Sequence, residues 1–506
     1  MIRWIVGRVL RLTAIGLLAT LLGLTGLALY TQYVFQESFY TTWSRLLRPQ
    51  IAWQKGKYPS ARPLFDLAEG LLADSDPRDR FGPVAGAAPP ARPGNWPPGV
   101  VGPDMESAPA DGRGGASPGA DAVSVATPRE LTAAIEKAAP GTVITVLPGL
   151  YRFDGHSIDI RPAGTPDNPI VLRATRLGAA TFHFNLLEGL HVQGAYWRFE
   201  NLLIEGVCAS DSRCEHAFHV VGGAAGVIIR NNWVANFNSP VKVNGSPKGY
   251  PDNGAILRNA FVNDRPRQTD NPVTFLDIVA ANGWVVDGNF IADFAKALGN
   301  RVSYGAFFKG AGADNIFERN LVRCEWRHRG GIRIGLSFGG GGTTGEGCRG
   351  GSCSPEHTGG ILRSNIVMDC PNDVGVYLNQ SARTTIHNNL IVNTRGVDVR
   401  FATTDATIFN NVIDGRILGR EDARYSERDN RASLFAAMLN RRISDRLFAN
   451  AAAGYLRTTD PAALVGASLP AGEQVRDFCG RPFAEDTGII GPFQYGPNLG
   501  CAPILP

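Results

Sequence analysis

Nowhere in its 506 residues does the chain gather lysine and arginine into a block, and a net charge of +4 is small for that length. Both facts argue against a nucleic-acid partner. The dense L-x-x-L-x-L spacing of a leucine-rich repeat is missing. The glycine run Gly339–Gly342 is not followed by the Lys-Ser/Thr pair of a phosphate loop. Gly335-Leu336-Ser337-Phe338-Gly339 carries the letters G-x-S-x-G, but without the strand–turn–helix setting of a nucleophile elbow. Cysteine is sparse, at eight residues, yet even in number. Only one long stretch, Leu12 to Gln36, is uncharged and mostly apolar.

What the chain does contain is a recurring asparagine. The pattern of two aliphatics, two variable residues, Asn and two further apolar residues returns at Asn201, Asn232, Asn259, Asn289, Asn320, Asn365, Asn389 and Asn411. The steps are 31, 27, 30, 31, 45, 24 and 22 residues. Short β-type runs with Asn at a fixed turn predict stacked coils, none of which buries its aliphatics alone. The expected fold is all-β: a single-stranded right-handed parallel β-helix, with the longer steps marking rungs that carry loops. Asn is expected at the turn because it tolerates the left-handed conformation, and its amide can bond along the column.

Four segments follow: an apolar anchor at 1–36, a stalk and linker at 37–119, the β-helix at 120–420, and a covering helix and tail at 421–506. Arg3, Arg8 and Arg11 precede the apolar run, so a transmembrane helix with its N-terminus in the cytoplasm is expected, rather than a cleaved signal peptide. This implies a single-pass inner-membrane protein with its C-terminal domain in the periplasm. Residues 81–119, rich in Pro, Gly and Ala, read as a disordered, flexible linker. Thr127, Pro128 and Glu130 are the N-cap, first position and capping-box partner of a helix that covers the first rung. An oxidising compartment predicts disulfides Cys208–Cys214, Cys348–Cys353 and Cys479–Cys501, with Cys324 and Cys370 paired through their like positions after the Asn turn. The spacings fit zinc poorly.

Outward residues of the strand preceding each Asn turn collect His219, Lys242, Asp277, Lys309, Arg333, Tyr377, Asn379, Asp398 and Arg400. Their inward partners run from Phe218 and Val220 through Ile332 and Ile334 to Val397 and Val399. Loops at 246–252, 263–271 and 336–357 flank the stripe, as binding loops on a rigid scaffold do. His328, beside Trp326 and Arg327, reads as a surface turn, with a sugar stacked on Trp326 as the alternative.

The run from Thr127 through Ala139-Pro140-Gly141-Thr142 and Pro148-Gly149 to Gly164–Ala174 resembles the opening of pectate-lyase-like β-helix proteins, most closely the alginate lyase and chondroitinase-B type. The likeness covers about 123–415. It implies an acidic polysaccharide as partner and β-elimination as chemistry, with Lys309 as base and Arg333 as carboxylate partner or acid. His219, Lys242, Asp277, Tyr377, Asn379, Asp398 and Arg400 would hold flanking sugars. No clean acidic pair matches that type's calcium ligands. Ca2+ is therefore left open, with Asp270 and Asp277 the nearest candidates and no other cofactor implied. Paired Asp motifs of polygalacturonase-type hydrolases are absent. A C5-epimerase and a non-catalytic scaffold tethered near envelope polysaccharide machinery remain alternatives.

Overall fold

The computed structural model describes residues 23, 26, 62–64, 66–67, 80–84, 101–103, 122–246, 249–432, 442–469, 474–483 and 488–494. The chain divides into two compact units, Met1–Arg80 with Phe435–Arg441, and Phe81–Leu434 with Arg442–Pro506. In the first, residues 62–64 and 66–67 are helical. The expected anchor lies outside the described residues except for Gly23 and Gly26. Among the described residues no helix is long and apolar enough to cross a membrane.

The second unit is a parallel β-helix. Three sheets of 12, 11 and 10 strands run its length, and every neighbouring pair within them is parallel. Each rung contributes one strand to each sheet, as in Ile228–Arg230, Trp233–Ala235 and Val241–Asn244. Inward residues such as Ile229, Val234 and Val243 are fully buried in one continuous core. The helix Pro128–Lys137 is capped by Thr127, which accepts from the Glu130 N–H at 3.2 Å, while Glu130 accepts from the Ala126 N–H. Its Leu131 and Ile135 enter the same core beside Val125 and Ile144.

The asparagine column is real, but its geometry differs from expectation in one respect. The left-handed corner is taken by the residue before each ladder Asn: Asn231, Arg258, Gly288, Arg319, Ser364, Asn388 and Asn410 all have φ between 52° and 66°. The ladder Asn itself is free to act through its amide. Its backbone N–H and its Nδ2 both donate to Oδ1 of the next Asn, from Asn232 to Asn259, Asn289, Asn320, Asn365, Asn389, Asn411 and finally Asn430. Asn430, unrecognised in the sequence, ends the column. Asn201 is out of phase: it occupies the corner with φ 61°, and Leu202 fills the ladder slot.

Disulfides Cys208–Cys214, Cys324–Cys370 and Cys348–Cys353 are formed as expected. Cys479 is also disulfide-bonded, and Cys501 lies outside the described residues. Of the expected linker only residues 81–84 and 101–103 are described, and both meet the β-helix: Gly82–Pro83 pairs with His328–Arg329, and Gly102 donates its N–H to the Gly288 carbonyl. Trp326 is not a surface residue. It is 4% exposed and packs edge-on against Phe290 at 4.9 Å, which excludes it from stacking on a sugar.

The C-terminal segment covers the outer face of the 11-stranded sheet. Leu447, Phe448, Leu464, Phe478 and Ile490 form one cluster with Ala260, Phe290, Leu321, Ile366, Leu390 and Val412. Corner residues make several of its polar attachments, alongside Ser444 bonded to Asp414. Ser364 donates to the Arg476 carbonyl, Asn388 to the Ile489 carbonyl, and Asn410 to the Ala467 carbonyl.

Candidate functional site

The 10-stranded sheet carries the outward stripe that the sequence suggested, and strand register places its members. One column runs His191, His219, Lys242, Asp277, Phe307, Ser337, Tyr377, Asp398. Two residues further along the strands, Asn244, Val279 and Lys309 align, and so do Asn379 and Arg400. Successive rungs are about 4.8 Å apart.

Arg333 does not belong to this stripe. Register pairs Ala306 with Leu336 and Phe308 with Phe338, so the inward residues of that strand are Leu336 and Phe338 rather than Ile332 and Ile334. Both G-I-R-I-G and G-L-S-F-G alternate well, and the sequence reading slipped by four residues. Arg333 pairs instead with Ser303, six residues along the strand from Gly339, which is about 20 Å at the usual rise. It is 2% exposed and donates to the carbonyls of Gly330 and Cys324. Burial lowers its pKa, opposed by the nearby Glu325 and Asp293 carboxylates. This is a structural cation, not a partner for Lys309.

Lys309 is placed as expected, at the mouth of the largest insertion. Its ammonium lies over the Phe307 ring at 4.6 Å and donates to the Gly341 carbonyl at 3.1 Å. Burial pushes its pKa down, against the pull of Asp277 and Glu356 and with help from Lys242. Among the described residues it makes no ion pair. Glu356, 2% exposed, accepts from the Gly310 N–H, and burial raises its pKa. The loop above is pinned by Arg349, which forms a forked pair with Asp252 at 2.6 and 2.7 Å and stacks on Tyr250 at 4.1 Å.

The other charges are mostly paired. Lys242 meets Asp277 at 2.6 Å. Asp398 is gripped by both arms of Arg420, and Arg400 pairs with Glu421 and reaches the Tyr377 hydroxyl at 3.3 Å. Asn379 donates to the same hydroxyl at 3.2 Å. Asp277 is thus engaged by a lysine, and Asp270 lies by Gly299 and near Lys296. Ser337 is fully buried and bonded to the Tyr377 carbonyl.

His219 is in different company from that expected. Its Nδ1 lies 2.9 Å from Glu188 Oε2, and His191 Nδ1 is 3.0 Å from the same oxygen. His216 adds a third ring, 5.1 Å from His219 between centroids. Glu188, His191 and His216 escaped the sequence reading because strict alternation puts His216 on the opposite face from His219. Here Ala217 and Phe218 are both buried in the core, which shifts the parity and returns His216 to the outer side. The available signal was the pair of i,i+3 spacings, Glu188/His191 and His216/His219, on consecutive strands.

A parallel β-helix with this corner ladder and charged outer sheet is similar to the pectate-lyase-like polysaccharide lyases. No family model matches the chain. Pectate lyase L of Dickeya chrysanthemi is 25% identical over 225 residues, which is 41% of this chain and 47% of that protein. The chain thus matches about half the length of that curated relative. Among solved structures, pectate lyase Pel9A has 13% identity and a TM-score of 0.49, covering 75% of this chain and 98% of that one. The alginate lyase from Paenibacillus sp. str. FPU-7 has 13% identity and a TM-score of 0.39, covering 62% and 95%.

Proposed function

We propose that the protein is a polysaccharide lyase that cleaves a uronate polymer by β-elimination, with Lys309 as the base. The observation that carries this reading is the state of Lys309: a half-buried amine with lowered pKa, no carboxylate partner among the described residues, and a position on the same outer face as Lys242, two rungs away. A base must be unprotonated to accept a proton, and desolvation favours the neutral amine. The C5–H bond breaks toward Lys309 Nζ, its electrons form the C4–C5 double bond, and the C4–O bond breaks as the leaving oxygen takes a proton from solvent water. Lys242, paired with Asp277, lies on the same face and could meet the uronate carboxylate only by exchanging that partner. Arg400 lies further along the same face, over the largely buried Tyr377 and Asn379, where a flanking sugar would sit. The likeness to a named pectate lyase supports the reaction class. Membrane anchoring through 1–36 and a periplasmic location belong to the same proposal and rest on the apolar run alone.

The test is the ultraviolet absorbance of the unsaturated uronate on mixing the protein with pectate, alginate, chondroitin and dermatan. A rise lost by about 10²–10⁴-fold in Lys309→Ala is expected for removal of a general base. A rise unchanged in that variant refutes the assignment. C5 proton exchange with solvent but no cleavage would make it an epimerase instead.

A further inference from the structure

We propose that Glu188, His216 and His219 form a site for one zinc-class divalent cation. One ligand atom from each lies within 4.8 Å of the other two. Register sets them there: His216 stands beside Glu188 and His219 beside His191 on adjacent parallel strands.

The hydrogen bonds behind the site determine which atoms face it. His216 Nδ1 is 2.9 Å from the Ser239 carbonyl, which can only accept. That nitrogen therefore carries the proton, and Nε2 keeps its lone pair. His219 Nε2 is 2.7 Å from Asn244 Oδ1, which leaves Nδ1 as the inward-facing atom. His219 Nδ1 is buried and has no hydrogen-bond partner, although Glu188 Oε2 is only 2.9 Å away. With the ring proton held on Nε2 by Asn244, Nδ1 turns a lone pair toward that oxygen, one acceptor against another. A cation lying off the N···O line would satisfy both atoms. His191 Nδ1 holds the same carboxylate from behind at 3.0 Å. Each of the three ligands thus has a second partner that orients it, the arrangement by which metal-binding histidines and carboxylates are fixed.

The donor set defines the ion. Two imidazoles and one carboxylate are the ligands of open, three-residue zinc sites. Ca2+ requires about six to eight oxygens and finds one carboxylate here. The side chains of His219 and Glu188 are 15% and 26% exposed, so the cluster is reachable from solvent. The neighbouring cation, Lys242, is already neutralised by Asp277. An anion would complete the shell; that this is a sugar carboxylate rests on the proposed lyase reading, whereas metal binding does not.

The experiment is titration of the chelator-treated full chain with Zn2+ by calorimetry, and with Co2+ by visible absorption. One equivalent of Zn2+ is expected, at least tenfold weaker in Glu188→Gln and in His219→Gln, with Co2+ bands of a low-symmetry nitrogen site in the unmodified protein. Circular dichroism of each variant without metal separates lost ligands from lost fold. Absence of the Co2+ bands, uptake of Zn2+ unchanged in both folded variants, or equal competition by Ca2+ overturns the site. None of these readouts uses lyase activity, so failure of the catalytic proposal leaves them interpretable.

Discussion

Replacing Asn320 with Ala strikes the middle of the corner ladder. Asn320 is fully buried. Its Oδ1 accepts from both the backbone N–H and Nδ2 of Asn289 at 3.0 Å, and its Nδ2 donates to the Val286 carbonyl at 2.8 Å and to Asn365 Oδ1 at 3.0 Å. After truncation, Asn289 Nδ2 still has the Ile256 and Asp287 carbonyls, and Asn365 Oδ1 still accepts from the backbone of residue 320. The Asn289 backbone N–H is left buried without its acceptor, and the Val286 carbonyl loses a donor. One unsatisfied buried group costs about 1–3 kcal/mol and a lost neutral bond about 1, so destabilisation of about 2–4 kcal/mol is expected. Asn430→Ala is the control, since that last rung is only half buried and water can replace the amide; about 1 kcal/mol or less is expected. Asn320→Asp keeps the acceptor but sets a carboxylate against two other oxygens, and should cost at least as much as Ala. Urea unfolding of the full chain, followed by circular dichroism, reads all three. If Asn320→Ala lies within about 0.5 kcal/mol of the unmodified protein, the range of an ordinary surface change, the ladder is not a stabilising device.

Lyase turnover, if observed, should rise with pH through the lowered pKa of Lys309, because the base is active only when deprotonated; a rate that falls over that range contradicts the role. Arg333→Met should impair folding rather than chemistry, by about 3 kcal/mol, because the Gly330 and Cys324 carbonyls lose a charged donor and Glu325 loses its nearby cation, while Asp293 keeps Arg327; a well-folded, inactive variant would contradict this. His387, stacked on Phe409 at 5.0 Å, is held neutral by burial with its pKa lowered to about 4. The unfolded chain takes up a proton near the ordinary histidine value while the native state does not. Its contribution is therefore full above about pH 6.5 and is lost at about 1.4 kcal/mol per pH unit as pH falls toward 4. Urea midpoints across that range should lose part of this slope in His387→Leu, and an identical slope would exclude the histidine.

The β-helix was legible because its signal repeats: eight asparagines at rung-like spacing, each with flanking aliphatics, outvote any local ambiguity. The ladder's phase was harder to read. Paired asparagines such as Asn231-Asn232 and Asn410-Asn411 hide which one turns the corner and which one bonds, and only the backbone angles separate them. The stripe was recovered where strict alternation holds, at Lys242, Asp277, Lys309 and Tyr377. It was lost where the strand departs from alternation or offers two equally regular phases. Ala217-Phe218 caused the first kind of miss, and Ile332–Phe338 the second. Long-range pairing, such as Arg420 closing on Asp398, carries no local signature at all.

The corner residues that hold the C-terminal segment alter how this solenoid comes apart. A bare stack of rungs is tied only to its neighbours and can fray one coil at a time from an open end. Here Ser364, Asn388 and Asn410, on three successive rungs, are laced to one returning stretch of chain. The last coils must then release together, which turns a gradual unravelling into a single concerted step and makes the segments around Ala467, Arg476 and Ile489 a latch on the C-terminal half of the coil.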